Sequence, residues 1–203
     1  MKKRTAKIAR KTTETQVTVS LTVDGAGKAK IDTGIGFLDH MLELFAFWGL
    51  FDLEIKAKGD LKVDRHHTNE DIGIVLGQAF KKALGDKQGI RRIGSAQVPM
   101  EKTVAGVALD ICGRGFLDMF SPTQTVKEKA GDKGEYDLEY AEHFFESFAK
   151  QLGVNLNIAV YFPSKDIHVT LEPVFKALGI ALDRATQIDP RRKGIPSTKG
   201  VID

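Results

Sequence analysis

The chain has 203 residues, 42% hydrophobic and 28% charged, enough for one large domain or two small ones around a real core. No apolar run approaches the roughly 18 to 20 residues of a membrane span, and the basic opening MKKRTAKIARKTTETQ lacks the apolar stretch of a secretory leader, so a cytoplasmic protein is expected. The lone Cys112 excludes an intrachain disulfide and a cysteine-rich zinc site, and a net charge of +3, mixed along the chain, suits an anionic small ligand better than nucleic acid.

In chain order, alternating apolar residues predict a strand over 15–24, and helical spacing predicts a helix over 37–48. A strand over 52–59 and a helix over 69–84 follow. Strand 102–112 comes next, and the polar stretch SPTQTVKEKAGDKGEY (121–136) reads as an exposed loop. Helix 139–151, strand 154–162 and helix 172–187 complete the series, with further short strands between.

This order repeats. VSLTVDGAG (19–27) reads against VALDICGRG (107–115) at an offset of 88. DHMLELFA (39–46) reads against EHFFESFA (142–149), an acid preceding each histidine. HHTNEDIGIVLGQAFKKA (66–83) reads against HVTLEPVFKALGIALDRA (168–185), which matches His66 to His168, Glu70 to Glu172 and Gly77 to Gly179. The gap from the lone histidine to the later cluster is 26 residues in one half and 25 in the other. Chance likeness of amphipathic helices would not also put the histidines in register. The expectation is an internal duplication: an α+β fold of two tandem like halves, 1–88 and 89–203, each a β-sheet with helices on one face, packed as one compact unit.

All five histidines, 40, 66, 67, 143 and 168, fall inside the repeated motifs. His66 and Glu70 stand four apart, as do His168 and Glu172, a spacing that stacks both side chains on one helical face, close enough to share a metal ion. Adjacent His67 points about 100° away from His66 and would serve a second ion or a neighbouring chain. Imidazole and carboxylate without thiolate suit manganese, iron or zinc. The plainer reading makes these capping and surface residues, with Thr68 capping the helix and Asp71 completing a capping box. That reading explains one histidine better than five in two registered copies. The basic clusters at 2–4, 91–92 and 191–193 are short, and each taken alone reads as a solvated patch.

GIGFLDHML (34–42), HHTNEDIGI (66–74), GIRRIGSAQVPM (89–100), GRGFL (113–117), EHFFESFA (142–149), FKALGIAL (175–182) and IPSTKG (195–200) together resemble the imidazoleglycerol-phosphate dehydratase family, in order and over nearly the whole chain. The resemblance implies two halves like ribosomal-protein S5 domain 2. It implies removal of water from imidazoleglycerol phosphate to give imidazole-acetol phosphate in histidine biosynthesis. It also implies a homo-oligomeric shell of twenty-four subunits with two Mn(2+) per active site, lying between subunits. By motif, the metal ligands would be His40, His66, His67, Glu70, His143, His168 and Glu172, and the catalytic residues Glu14, His67 and Glu172. The phosphorylated imidazole substrate would be held by Glu14, His40, Arg92, Arg114, Lys176, Ser197, Thr198 and Lys199. Two bound cations would favour ionisation of the imidazole and loss of hydroxide, while Glu14 relays the proton.

The chain departs from the family pattern at three places. Val169 stands where the second histidine of a second histidine pair is usual, His168 being the first; Trp48 stands where a histidine is usual, and Glu101-Lys102 where an Asp-Glu pair is usual. In the duplication Lys102 aligns with Glu14. Val169 removes a ligand from the site of His66 and Glu70, which weakens that site. Pro173, directly after Glu172, is read within a first helical turn and biases Glu172 toward extended geometry. These departures keep two alternatives open: a divergent paralogue acting on another azole phosphate, and a catalytically silent metal-binding assembly protein.

Overall fold

A computed structural model of the chain describes residues 3–123 and 136–202. Of the predicted loop 121–136, only 121–123 and Tyr136 fall among them.

The first half runs β1 (Thr5–Lys11), β2 (Thr15–Thr22), β3 (Ala29–Asp32), α1 (Gly36–Gly49), β4 (Asp52–Gly59) and α2 (His66–Leu84). The second runs β5 (Ile93–Met100), β6 (Thr103–Asp110), β7 (Phe116–Phe120), α3 (Leu138–Leu152), β8 (Asn155–Tyr161) and α4 (Ile167–Thr186). The sheets have the same strand order, β1-β2-β4-β3 and β5-β6-β8-β7, with the last pair of each parallel. Val19 lies opposite Ile55, and Val107 opposite Ile158, so the repeat read from sequence is also a repeat of register. The chain is two like α+β halves.

Alternation decides which face of each sheet is covered. Thr15, Val17, Val19 and Leu21 of β2 are buried while Gln16, Thr18, Ser20 and Thr22 face outward. On the inner faces lie the helices, and the helices of one half pack on those of the other, α2 on α3 and α1 on α4. Phe45, Phe51, Phe80, Phe144, Phe145, Phe148 and Phe175 fill the space between the sheets. No helix among the described residues is long and apolar enough to cross a membrane.

The cross-half helix pairs touch through glycine. A Cβ on Gly77 of α2 would lie 2.6 Å from the Phe148 carbonyl oxygen of α3, and one on Gly179 of α4 would lie 2.5 Å from that of Phe45 in α1. Only a residue without a side chain permits such an approach. The matched glycines of the repeat therefore set the distance between helices that carry the histidines.

Two helices start earlier than the spacing predicts, α2 at His66 rather than 69 and α4 at Ile167 rather than 172. The cause is a pair of aspartates in the preceding turns: Asp64 Oδ1 accepts the His66 N–H at 2.7 Å and Asp166 Oδ1 that of His168 at 2.8 Å. Thr68 is therefore not a cap; it lies fully buried inside α2. Nor does Asp71 complete a capping box: it accepts from Arg10 Nε at 2.7 Å and from the Thr15 hydroxyl, tying α2 to the β1–β2 turn. Pro173 sits well inside α4, which continues past it, so Glu172 is helical rather than extended. The proline costs the helix one hydrogen bond, to the Val169 carbonyl.

Candidate metal centre

The approach of α1 and α4 brings three donors together. His168 Nε2 lies 2.7 Å from Glu172 Oε2, and His40 Nε2 lies 3.7 Å from the same oxygen. The three donor atoms are all within 4.8 Å of one another, the one such histidine and carboxylate group among the described residues. Glu172 Oε1 accepts from Lys176, whose ammonium lies 5.9 Å from the centre of the Trp48 ring. Burial pushes Glu172 up, but Lys176 and His168 outweigh it and hold the carboxyl below the usual glutamate range. Both carboxylate oxygens are thus engaged, Oε2 by His168 and Oε1 by Lys176.

The duplication places the counterpart between α2 and α3. There the rings of His66 and His143 are 4.7 Å apart at their centroids, and half-buried Glu70 follows one turn after His66 on the same face. Each residue answers to its partner in the repeat: His143 to His40, His66 to His168, Glu70 to Glu172. A chain of contacts through Phe37, Tyr136 and Asn69 runs from His168 to α2. Phe37 meets the His168 ring edge-on and stacks on Tyr136 at 5.1 Å, and the Tyr136 hydroxyl donates to Asn69 Oδ1 at 2.8 Å. Asn69 in turn donates to the Tyr140 carbonyl. Neither this chain of contacts nor Asn69's part in it was visible from spacing.

His67 turns away from His66, their ring planes at 80° and centroids 6.0 Å apart. Its Nδ1 faces Asp60 Oδ2 at 3.0 Å and Glu14 Oε2 at 3.8 Å. Asp60 holds the His67 imidazolium above the usual histidine range, Glu14 and Asp64 adding to the effect. Glu14 reaches this place because the β1–β2 turn is pinned twice: Thr12 Oγ1 accepts the Glu14 and Thr15 N–H groups, and Thr15 is bound to Asp71. The second half lacks the corresponding residues. Lys102, Val169 and Pro173 stand where Glu14, His67 and Asp71 stand in the first.

The remaining predicted substrate residues lie at the other end of α4. Arg92 donates its main-chain N–H to the Ala185 carbonyl, and its guanidinium forks onto Asp110 at 2.6 and 2.9 Å while reaching the Pro196 carbonyl at 3.0 Å. Ser197, Thr198 and Lys199 follow directly, Ser197 Oγ accepting the Lys199 N–H. Exposed Arg114 lies in the same neighbourhood, since the Ile111 N–H bonds to the Arg92 carbonyl. At 1.5 Å per residue, the span from His168 to Ala185 is roughly 25 Å. One chain therefore brings Lys176 alone of the phosphate set to the histidines. Cys112, buried and bonded to the Arg114 carbonyl, is at the far end too and belongs to neither cluster.

Imidazole nitrogens with one carboxylate and no thiolate make a donor set for manganese, iron or zinc. His40, His168 and Glu172 offer three donor atoms, fewer than the six of an octahedral ion.

Residues 33–182 match the family model described as imidazoleglycerol-phosphate dehydratase. The chain is 52% identical over 199 residues to the imidazoleglycerol-phosphate dehydratase of Geobacter metallireducens, covering 98% of this chain and 99% of the relative. It is 51% identical over 200 residues to that of Methylorubrum populi, covering 98% of this chain and all of the relative. The fold superposes on the crystal structure of the Staphylococcus aureus dehydratase with a TM-score of 0.76 at 32% identity, over 91% of this chain and 99% of that one. For the Pyrococcus furiosus enzyme, solved in complex with (S)-C348, the TM-score is 0.77 at 32% identity, over 96% and 99%.

Proposed function

The chain belongs to the imidazoleglycerol-phosphate dehydratase family, and from that premise we propose that it dehydrates imidazoleglycerol phosphate to imidazole-acetol phosphate, in histidine biosynthesis, using two manganese ions held by its paired clusters. The observation that carries the metal is the convergence of His40, His168 and Glu172, which would hold one ion; the repeat and the meeting of His66 with His143 support His143, His66 and Glu70 as holders of the other. Bound there, the ions supply Lewis-acid polarisation of the substrate's imidazole ring. The protein's own groups do the rest. Glu14, half-exposed at a pinned turn, takes and returns the proton as general base and acid. Lys176, and the cationic set of Arg92, Arg114 and Lys199 with Ser197 and Thr198, bind the phosphate.

The separation of these parts along α4 supports sites completed between subunits. His67, which serves neither cluster of its own chain, supports the same reading. We place the enzyme in the cytoplasm as a large homo-oligomer, of twenty-four subunits by its likeness to the family.

Loading with manganese under anaerobic conditions, followed by assay with imidazoleglycerol phosphate, tests the proposal. Turnover that is lost on chelation and restored by Mn(II) is the expected result, with a shift toward smaller particles in size-exclusion runs after chelation. Metal binding without turnover would favour an enzyme adapted to another azole phosphate or a silent assembly protein. A monomer of unchanged size with and without metal would sink the shared site.

A further inference from the structure

Asp60 lies in the loop between β4 and α2, outside every motif that drew attention in the sequence. Its Oδ2 is nearer to His67 Nδ1 than is Glu14, 3.0 against 3.8 Å, and its side chain is the more buried, 25% exposed against 51%. Its other oxygen, Oδ1, is buried with no hydrogen-bond partner among the described residues. Leaving a carboxylate oxygen unsatisfied is costly, which makes Asp60 a poor choice for a loop unless its other oxygen has a task.

The duplication offers an internal comparison. Aligned on the helix starts, 60–65 reads DLKVDR and 162–167 reads FPSKDI. The turn aspartate survives in both, as Asp64 and Asp166, each bonding the N–H two residues on. Asp60 does not survive: its counterpart is Phe162, and the histidine it would meet is Val169. Where the imidazole is missing the acid is missing too, while the acid that serves the helix start is kept.

A carboxylate facing Nδ1 places the ring proton there and leaves Nε2 with its lone pair, the form in which histidine binds a cation. We infer that Asp60 is the positioning residue for His67: it accepts the Nδ1–H, fixes the ring and its tautomer, and leaves Nε2 to ligate a divalent cation. By occupying Nδ1 it also relieves Glu14 of that partnership, so the Glu14 carboxylate stays available for proton transfer. The inference rests on the proposed metal-dependent function and assigns the two acids beside His67 different tasks.

The test is a double-mutant cycle on the assembled protein, read as Mn(II) affinity by calorimetric titration, with melting temperature measured on the metal-free forms. Asp60→Ala should weaken one of the binding steps by about 10- to 100-fold, the usual effect of losing a partner behind a ligating histidine, and His67→Ala, which removes the imidazole itself, should weaken the same step at least as much. The double variant should be no weaker than His67→Ala alone. Asp60→Asn keeps an acceptor oxygen and should recover part of the affinity, with a metal-free melting temperature close to that of the unaltered protein. Should Asp60→Ala fail to fold, Asp60→Asn replaces it in the cycle, with a smaller loss that again vanishes in the His67→Ala background. Additive losses, or unchanged affinity in the Asp60 variants, overturn the assignment. Turnover of the unaltered protein is measured in parallel: its absence beside a non-additive cycle would strike the proposed function and leave the role of Asp60 standing.

Discussion

Glu14 and Lys102 occupy corresponding turns of the two halves with opposite charges, so the acid proposed to transfer the proton has no counterpart in the second half. Replacing Glu14 with Gln keeps the turn, whose contacts run through Thr12, Thr15 and the main chain. Glu14→Gln should therefore lower kcat by about 10²- to 10⁴-fold, the range for general acid–base groups, at unchanged Mn(II) affinity. Steady-state kinetics beside a metal titration checks this, and parallel loss of both would mean that Glu14 orders the site instead. Val169 has an equally direct test. Its neighbours His168 and Glu172 already share a helical frame, so Val169→His should present a further imidazole to the ion of the His66 cluster. One of two Mn(II) binding steps should tighten by about tenfold, the scale of one additional contact of about 1.4 kcal/mol. If neither step changes, position 169 faces no ion.

Among the elements, the two glycine contacts decide whether histidines on different helices meet at all. Gly179→Ala would set a methyl 2.5 Å from the Phe45 carbonyl oxygen and 3.0 Å from the Gly49 nitrogen, both main chain of α1 and unable to yield cheaply. The expected cost is about 1–3 kcal/mol in urea denaturation, with weaker Mn(II) binding at the His40 cluster as α4 is pushed off α1. An unchanged metal titration would detach the glycine contact from the site. The sequence discloses the four helices and the central strands β2, β4, β6 and β8 because each alternates or cycles cleanly against a buried face. The outer strands are harder to read. β1 is basic on its exposed side and β5 is rich in small and polar residues, so their place follows from pairing with a neighbour. The starts of α2 and α4 were hidden by polar residues and a proline that favour other local choices. The same contrast divides the site. Histidine and glutamate at matched positions announce themselves by register, whereas Asp60 beside His67 and the fork of Arg92 on Asp110 depend on contacts between distant segments.

In the whole molecule, the outer faces of the two sheets differ: Lys7, Lys30, Lys56 and Lys58 face outward from the first, Ser95, Gln97, Ala108 and Asn157 from the second. The two histidine clusters lie near the starts of α2 and α4, and the cationic set lies near the end of α4, so the residues proposed for the site lie in three places rather than one. If an active site takes one cluster from each of two chains, damage in one cluster can be answered by a neighbour. His168→Ala spoils one cluster and spares the other; His66→Ala does the reverse. Each variant alone should be inactive. Dissociated by chelation, mixed in equal amounts and reassembled with Mn(II), they should recover activity at roughly one quarter of the sites, the product of two independent even choices in a symmetric assembly. Activity no greater than that of the separate variants would mean that each chain completes its own site. In genetic terms, two recessive lesions in one gene would complement, and a heterozygote of two dead alleles would grow without added histidine.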